Sequence, residues 1–164
     1  MNYTMILKYA MQMELDGYNF FKDNAKKMSN PTSEAMFLEL AEAEMQHYKY
    51  LEKQLNYYLE NKAFDTSPEV MDREEDIFSN RAESEHIAET LDESMIPDLT
   101  ILRMAYLIER DFKEFYTEAS NNAEDENIKA IFRKLAAWEE GHESLFKNEY
   151  SRRMKEYMNL PWGG

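Results

Sequence analysis

The sequence predicts an all-α protein, a four-helix bundle made of two repeated helical hairpins joined by a long, partly helical linker. Three observations carry this reading. The 164 residues include only 4 Gly and 4 Pro, too few for a fold with many tight turns, while the good helix formers Glu, Lys, Leu, Met and Ala are plentiful. Apolar residues recur at spacings of three and four, which trace one face of a helix. The pattern of the first half then returns in the second half.

The first helical pattern runs from Tyr3 to Met28, with the stripe Leu7, Ala10, Met11, Glu14, Gly17, Tyr18, Phe21, Ala25, Met28. Asn30-Pro31 reads as a helix cap followed by proline at the first helical position, where its missing N–H costs nothing. The second stripe is Phe37, Leu40, Ala41, Glu44, His47, Tyr48, Leu51, Leu55. Residues 61–96 are polar and acidic, as in Asp72-Arg-Glu-Glu-Asp76, and Ser67-Pro68-Glu69 looks like the start of a short helix there. Pro97 opens the third pattern, Leu102, Ala105, Tyr106, Glu109, Phe112, Tyr116, Ala119. A turn near Asn122 to Asp125 leads to the fourth, Ile128, Phe132, Leu135, Ala136, Glu139, His142, Phe146, Tyr150. The chain is thus expected to form one domain over residues 1–164, with hairpins at 3–60 and 97–158 and a linker at 61–96.

An offset of 95 residues aligns the hairpins without a gap. Between Ile6–His47 and Ile101–His142, 12 of 42 positions are identical, among them Glu14/Glu109, Glu44/Glu139 and His47/His142. Glu14 and Glu109 each interrupt an apolar stripe, where a lone ionised carboxylate costs on the order of several kcal/mol to bury. The partner helices add Glu44-Met-Gln-His47 and Glu139-Glu-Gly-His142, and residues three apart on a helix share a face. Each stripe carboxylate stands about 15 residues from its turn, roughly 22 Å along its helix, so antiparallel packing brings all four to one level. Four carboxylates carry a charge that two divalent cations neutralise and one does not. Mixed carboxylate and imidazole donors suit iron and manganese and also admit zinc. The expected metal ligands are therefore Glu14, Glu44, His47, Glu109, Glu139 and His142.

Glu-x-x-His alone is weak. Glu makes up 24 of 164 residues, so roughly one His in seven has Glu three positions earlier by composition alone. Glu83-Ser-Glu-His86 matches too, but it lies in the linker with no repeat mate and no apolar stripe, and reads as solvent-exposed. The alternative for Glu14 and Glu109 is a buried salt bridge, which needs an inward Lys or Arg that the stripes do not offer.

A single Glu from each of two helices plus Glu-x-x-His from each of the other two resembles the ferritin-like di-iron carboxylate proteins. Within them, Ala10-Met-Gln-Met-Glu14-Leu-Asp-Gly-Tyr-Asn-Phe-Phe21 and Ala105-Tyr-Leu-Ile-Glu109-Arg-Asp-Phe-Lys-Glu-Phe-Tyr116 are similar to the first and third helices of the rubrerythrin-like group. The resemblance implies a bundle holding two iron ions and an oxidoreductase that reduces hydrogen peroxide or O₂ with electrons from a separate donor protein. Each hairpin supplies half a site, and the 36-residue linker can deliver the second hairpin to its own chain or to a neighbour. The related proteins are often dimers, so a homodimer is expected, with hairpins either retained or exchanged between chains. Two features depart from rubrerythrins proper. Phe112 stands where they carry a further glutamate, and no Cys is present to form their rubredoxin module. Iron oxidation with storage or sequestration is the other function that the same ligand set supports.

Tyr116, two turns beyond Glu109, is a candidate catalytic residue as a proton or electron donor, with core packing as the alternative. Glu143 is a candidate extra ligand or acceptor, Asp16 and Asp111 fall on the helix surface, and the 12 Met are expected mainly to fill the core. The tail Leu160–Gly164 carries no assignable role. The formal net charge of −14 argues against nucleic-acid and anionic membrane partners. The absence of Cys excludes disulfides, thiolate metal sites and thiol nucleophiles from this sequence. No run approaches a membrane span, and the amphipathic start lacks a signal-peptide core, so a cytoplasmic location is expected.

Overall fold

The computed structural model describes residues 1–67 and 95–160. Within them lie four helices: α1 (Tyr3–Ala25), α2 (Pro31–Asn61), α3 (Met95–Asn122) and α4 (Glu126–Met158). The expected short helix from Ser67-Pro68, the Glu83/His86 motif and residues 161–164 of the tail fall outside the described residues.

The helix ends follow local chemistry. Asn2, Asn30 and Asp125 cap α1, α2 and α4, their side-chain oxygens accepting from Met5 N, Ser33 N, and Asn127 N with Ile128 N. α3 starts at Met95, two residues before the expected start, with Pro97 in its first turn, where a missing donor is harmless. α1 ends at Ala25 rather than Met28. The amides of Lys27 and Met28 bond back to Asn24 and Ala25 in tighter turns. Met28 stays buried, so the apolar pattern outlasts the helix. Beyond α2, Gln54 makes two hydrogen bonds to the backbone of Asp65, at 2.7 and 3.0 Å, and Phe64 is buried against α2.

α1 packs along α2 and α3 along α4, and α1 meets α3 across the bundle. The apolar interior forms two clusters. One contains Leu7, Ala10, Leu51, Tyr116, Phe132 and Leu135, and the other Leu102, Ala105, Phe146, Phe21, Phe37 and Leu40. These are repeat mates taken in order, so the 95-residue offset maps one cluster onto the other. Each helix passes through both clusters and carries its repeated carboxylate between them. α1 and α4 run one way and α2 and α3 the other, so the connection from Asn61 to Met95 joins opposite ends of the bundle. The methionines contribute less to the core than expected: Met28 and Met36 are buried, whereas Met1, Met5, Met104 and Met158 are exposed.

Candidate metal centre

A polar layer lies between the two apolar clusters. Glu14, Glu44, Glu109, Glu139 and His142 have no exposed surface and His47 has 1 %. The structure brings together all six residues expected from the sequence. They form two overlapping groups, Glu14, Glu44, His47, Glu139 and Glu44, Glu109, Glu139, His142. In each group one donor atom per residue lies within 4.8 Å of the others. Glu44 and Glu139 belong to both groups. Glu14 and His47 complete one from the first hairpin, and Glu109 and His142 complete the other from the second.

Both imidazoles present Nδ1 to the carboxylates. His47 Nδ1 is 3.3 Å from Glu14 Oε2 and 3.1 Å from Glu139 Oε1. His142 Nδ1 is 3.0 Å from Glu139 Oε2 and 3.4 Å from Glu44 Oε1 and Glu109 Oε2. The rings stack with centroids 5.7 Å apart. Both oxygens of Glu44 and of Glu109, and Oε1 of Glu139, are fully buried and lack a well-aligned hydrogen bond, the imidazole nitrogens being their only neighbours of opposite charge among the described residues. Unsatisfied carboxylate oxygens at this depth are costly unless a cation takes their lone pairs. Among the described residues no Lys or Arg pairs with any of the four carboxylates, and the ion pairs they make are with His47 and His142. The donor set of carboxylate oxygens and imidazole nitrogens thus fits two divalent cations.

Without cations, protons take their place. Burial, reinforced by Glu139, Glu109 and Glu14, holds Glu44 well above the usual carboxylate range. Burial likewise pushes Glu109 up to about 8, even with His142 opposing it. For His47 and His142 burial works against the charge, but the surrounding carboxylates outweigh it and hold both well above an ordinary histidine. Glu139 is held low: burial opposes ionisation, and the two imidazolium groups overcome it.

Tyr116 is fully buried and its hydroxyl donates to Glu14 Oε1, so the side chain is part of the site and not only of the core. Glu143 is not gathered with the six. It accepts from Arg110 Nε at 3.1 Å and from Lys113, beside the layer. Asp16 is exposed and takes a hydrogen bond from Gln12, and Asp111 is exposed too, as expected for a helix surface. Two features escaped sequence reasoning. The Trp138 ring stacks on His47, with centroids 5.1 Å apart and planes at 7°. Gly17 lies against Phe112 and Glu44. A Cβ there would come within 3.0 Å of Phe112 Cε2 and 3.1 Å of Glu44 Oε2. Gly17 and Phe112 are repeat mates, and that mismatch in size at one aligned position was the signal available in the sequence.

Among the described residues no helix is long and apolar enough to cross a membrane. A search of curated proteins finds no match to this chain. Among solved structures it is similar to a hypothetical protein from Pyrococcus furiosus. The two share 22 % identity with a TM-score of 0.68, over 94 % of this chain and 92 % of that one, a likeness of fold. The rubrerythrin family model matches residues 5–150, which include both hairpins and all six clustered residues. The chain therefore belongs to the rubrerythrin family of ferritin-like di-iron carboxylate proteins.

Proposed function

We propose that the chain holds two iron ions and reduces hydrogen peroxide or O₂ with electrons from an external donor protein. The observation that carries this is the pair of overlapping cages sharing Glu44 and Glu139. Glu44 and Glu139, shared between the cages, would let two bound ions act on one small oxidant together. When bound, iron supplies the two electrons that convert hydrogen peroxide and two protons to two waters. The chain's own residues do the rest. Glu14 with His47 and Glu109 with His142 close the two ends. The flanking apolar clusters keep bulk water from the layer, and Tyr116 holds a proton at Glu14. The electron source in this reading is a separate protein, since this sequence has no Cys with which to build a rubredoxin-type relay.

Anaerobic Fe(II) loading should give about two ions per chain. His47→Ala or His142→Ala should each weaken one position, while His86→Ala should not. Stopped-flow mixing of the reduced protein with each oxidant then tests the chemistry, with peroxide expected to react faster. A preference for O₂ with accumulation of Fe(III) mineral would support iron storage instead, and size-exclusion chromatography would then show a large shell. The reading includes a homodimer, with hairpins retained or exchanged, which light scattering tests.

A further inference from the structure

The 95-residue repeat predicts two equal ion positions, but the side chains behind the ligands break the symmetry, and both breaks fall on the same position. Tyr116 donates its hydroxyl to Glu14 Oε1. Its repeat mate is Phe21, which has no hydroxyl for Glu109 and stacks on Phe146 at 5.4 Å instead. Trp138 lies flat on His47. Its repeat mate is Ala43, a methyl group where the other half offers an indole. Glu14 and His47 belong to one cage, Glu109 and His142 to the other.

We propose that the two positions bind divalent cations unequally, the Glu14/His47 position more tightly than the Glu109/His142 position, and that Tyr116 and Trp138 are the positioning residues responsible. The proposal rests on the two-metal reading above. A ligand already held in place loses less freedom when the ion arrives. Glu14 is held at one oxygen by Tyr116, which leaves Oε2, facing His47 Nδ1 at 3.3 Å, as its donor. The indole fixes the plane of the His47 ring, so Nδ1 is aimed before the ion binds. Among the described residues Glu109 has no hydroxyl donor at either oxygen, and its nearest imidazole nitrogen, His142 Nδ1, is 3.4 Å from Oε2. It can offer one oxygen or both, at the cost of losing more freedom when the ion arrives. Outer partners of this kind commonly change metal affinity by about 10–100-fold. The first position is therefore the resident one, and the second is where an ion enters, leaves or is exchanged for another metal.

The test is anaerobic calorimetric titration of the full chain with Co(II), followed in parallel by the Co(II) visible spectrum. Two binding steps are expected, separated by roughly 10-fold or more in Kd. His142→Ala should remove the weaker step and keep the tighter one, and His47→Ala the reverse. Tyr116→Phe and Trp138→Phe should each weaken the tighter step and bring the two steps together. Phe keeps the bulk of Tyr116 and a ring at 138, and circular dichroism of each variant before titration establishes that it is folded. Two ions binding with one Kd would overturn the inequality while leaving the two-metal reading intact. The proposal also fails if His47→Ala removes the weaker step, or if both Phe variants leave the separation unchanged. Failure to bind Co(II) at all would overturn the two-metal reading and the inequality together.

Discussion

Asp98 and Tyr3, repeat mates at the starts of α3 and α1, do the same task at opposite ends of the bundle. Each reaches across to the turn of the other hairpin and accepts hydrogen bonds from its backbone. Asp98 takes the amide of Ser29 at 3.0 Å, and Tyr3 takes those of Glu124 and Asp125 at 3.2 and 3.1 Å. Ser29 and Glu124 are repeat mates as well. The residues behind them differ in kind. Asp98 is backed by buried Arg153 at 2.7 Å, which also donates to Ser33 and Glu149. Tyr3 is backed by Tyr58, the repeat mate of Arg153, through an edge-on ring contact at 5.8 Å. The repeat keeps the geometry of the clamp and exchanges its chemistry.

That difference predicts unequal costs. Arg153→Ala leaves Asp98 as an uncompensated charge with no exposed surface, which should destabilise the protein by about 3–5 kcal/mol. Tyr3→Phe keeps the ring contacts and removes only an acceptor that water can replace at a surface turn, at a cost of about 1 kcal/mol. Urea unfolding of the two variants measures both. Equal losses would show that the charged clamp contributes no more than the aromatic one.

The features legible in the sequence are those written in periodicity and repetition. Glu14, Glu109 and the two Glu-x-x-His pairs are visible because each is polar on an apolar stripe and occurs twice. The asymmetric parts are not visible that way. Arg153 lies beyond the identical stretch, and its partners Asp98 and Ser33 come from other helices. Trp138 is next to a ligand in sequence, but its contact is with His47 of another helix, which no spacing reveals. The early end of α1 is hidden because Met28 is buried from a turn and continues the stripe. Glu143 follows a ligand directly, yet packing directs it to Arg110 and Lys113.

Gly17 and Gly141 both lie within helices, where replacing Gly by Ala favours the helix by about 1 kcal/mol. At Gly141 an added Cβ meets nothing within 4 Å, so Gly141→Ala should stabilise by about that amount. At Gly17 the methyl would press on Phe112 at 3.0 Å and on the Glu44 carboxylate at 3.1 Å. Phe112 and Glu44 are packed inside the bundle, so relief requires moving a shared ligand or a core ring. Gly17→Ala should therefore lose stability and weaken the binding of both ions, since Glu44 belongs to both cages. Thermal melts and metal titrations of the two variants check the contrast. A Gly17→Ala protein with unchanged metal binding would show that the site tolerates displacement of Glu44.

The metal-free protein should lose stability as pH rises. Glu44, Glu109, His47 and His142 all have folded-state pKa values raised above their ordinary ones. Between the ordinary carboxylate value of 4.5 and about 8, where Glu109 titrates, the folded chain thus binds more protons than the unfolded chain. Stability then falls with increasing pH, because unfolding releases protons. Glu139, held low, acts in the opposite sense only below its ordinary value of 4.5, outside this window. The melting temperature of metal-free protein should drop from about pH 6 to about pH 8.5, and that of the loaded protein should change little. A flat metal-free profile would mean that the four carboxylates tolerate ionisation together.

Cation binding should release protons in a countable number. In the metal-free layer four groups are pushed toward holding a proton: Glu44 and Glu109 chiefly by burial, and His47 and His142 by the carboxylates. Both imidazoles face the layer through Nδ1, so an ion bound there must displace the proton on that nitrogen. An ion on Glu44 or Glu109 likewise takes the place of the carboxyl proton. Two divalent ions should therefore displace up to about four protons per chain. Calorimetric titration in buffers of different ionisation enthalpy gives this number directly. Affinity should rise with pH above about pH 6, and one proton less steeply once Glu109 has ionised at about pH 8. Release of only about two protons, those of the imidazoles, would show that the carboxylates are already ionised in the metal-free chain. The layer would then have to be charged and open to water before any ion arrived, contrary to its complete burial.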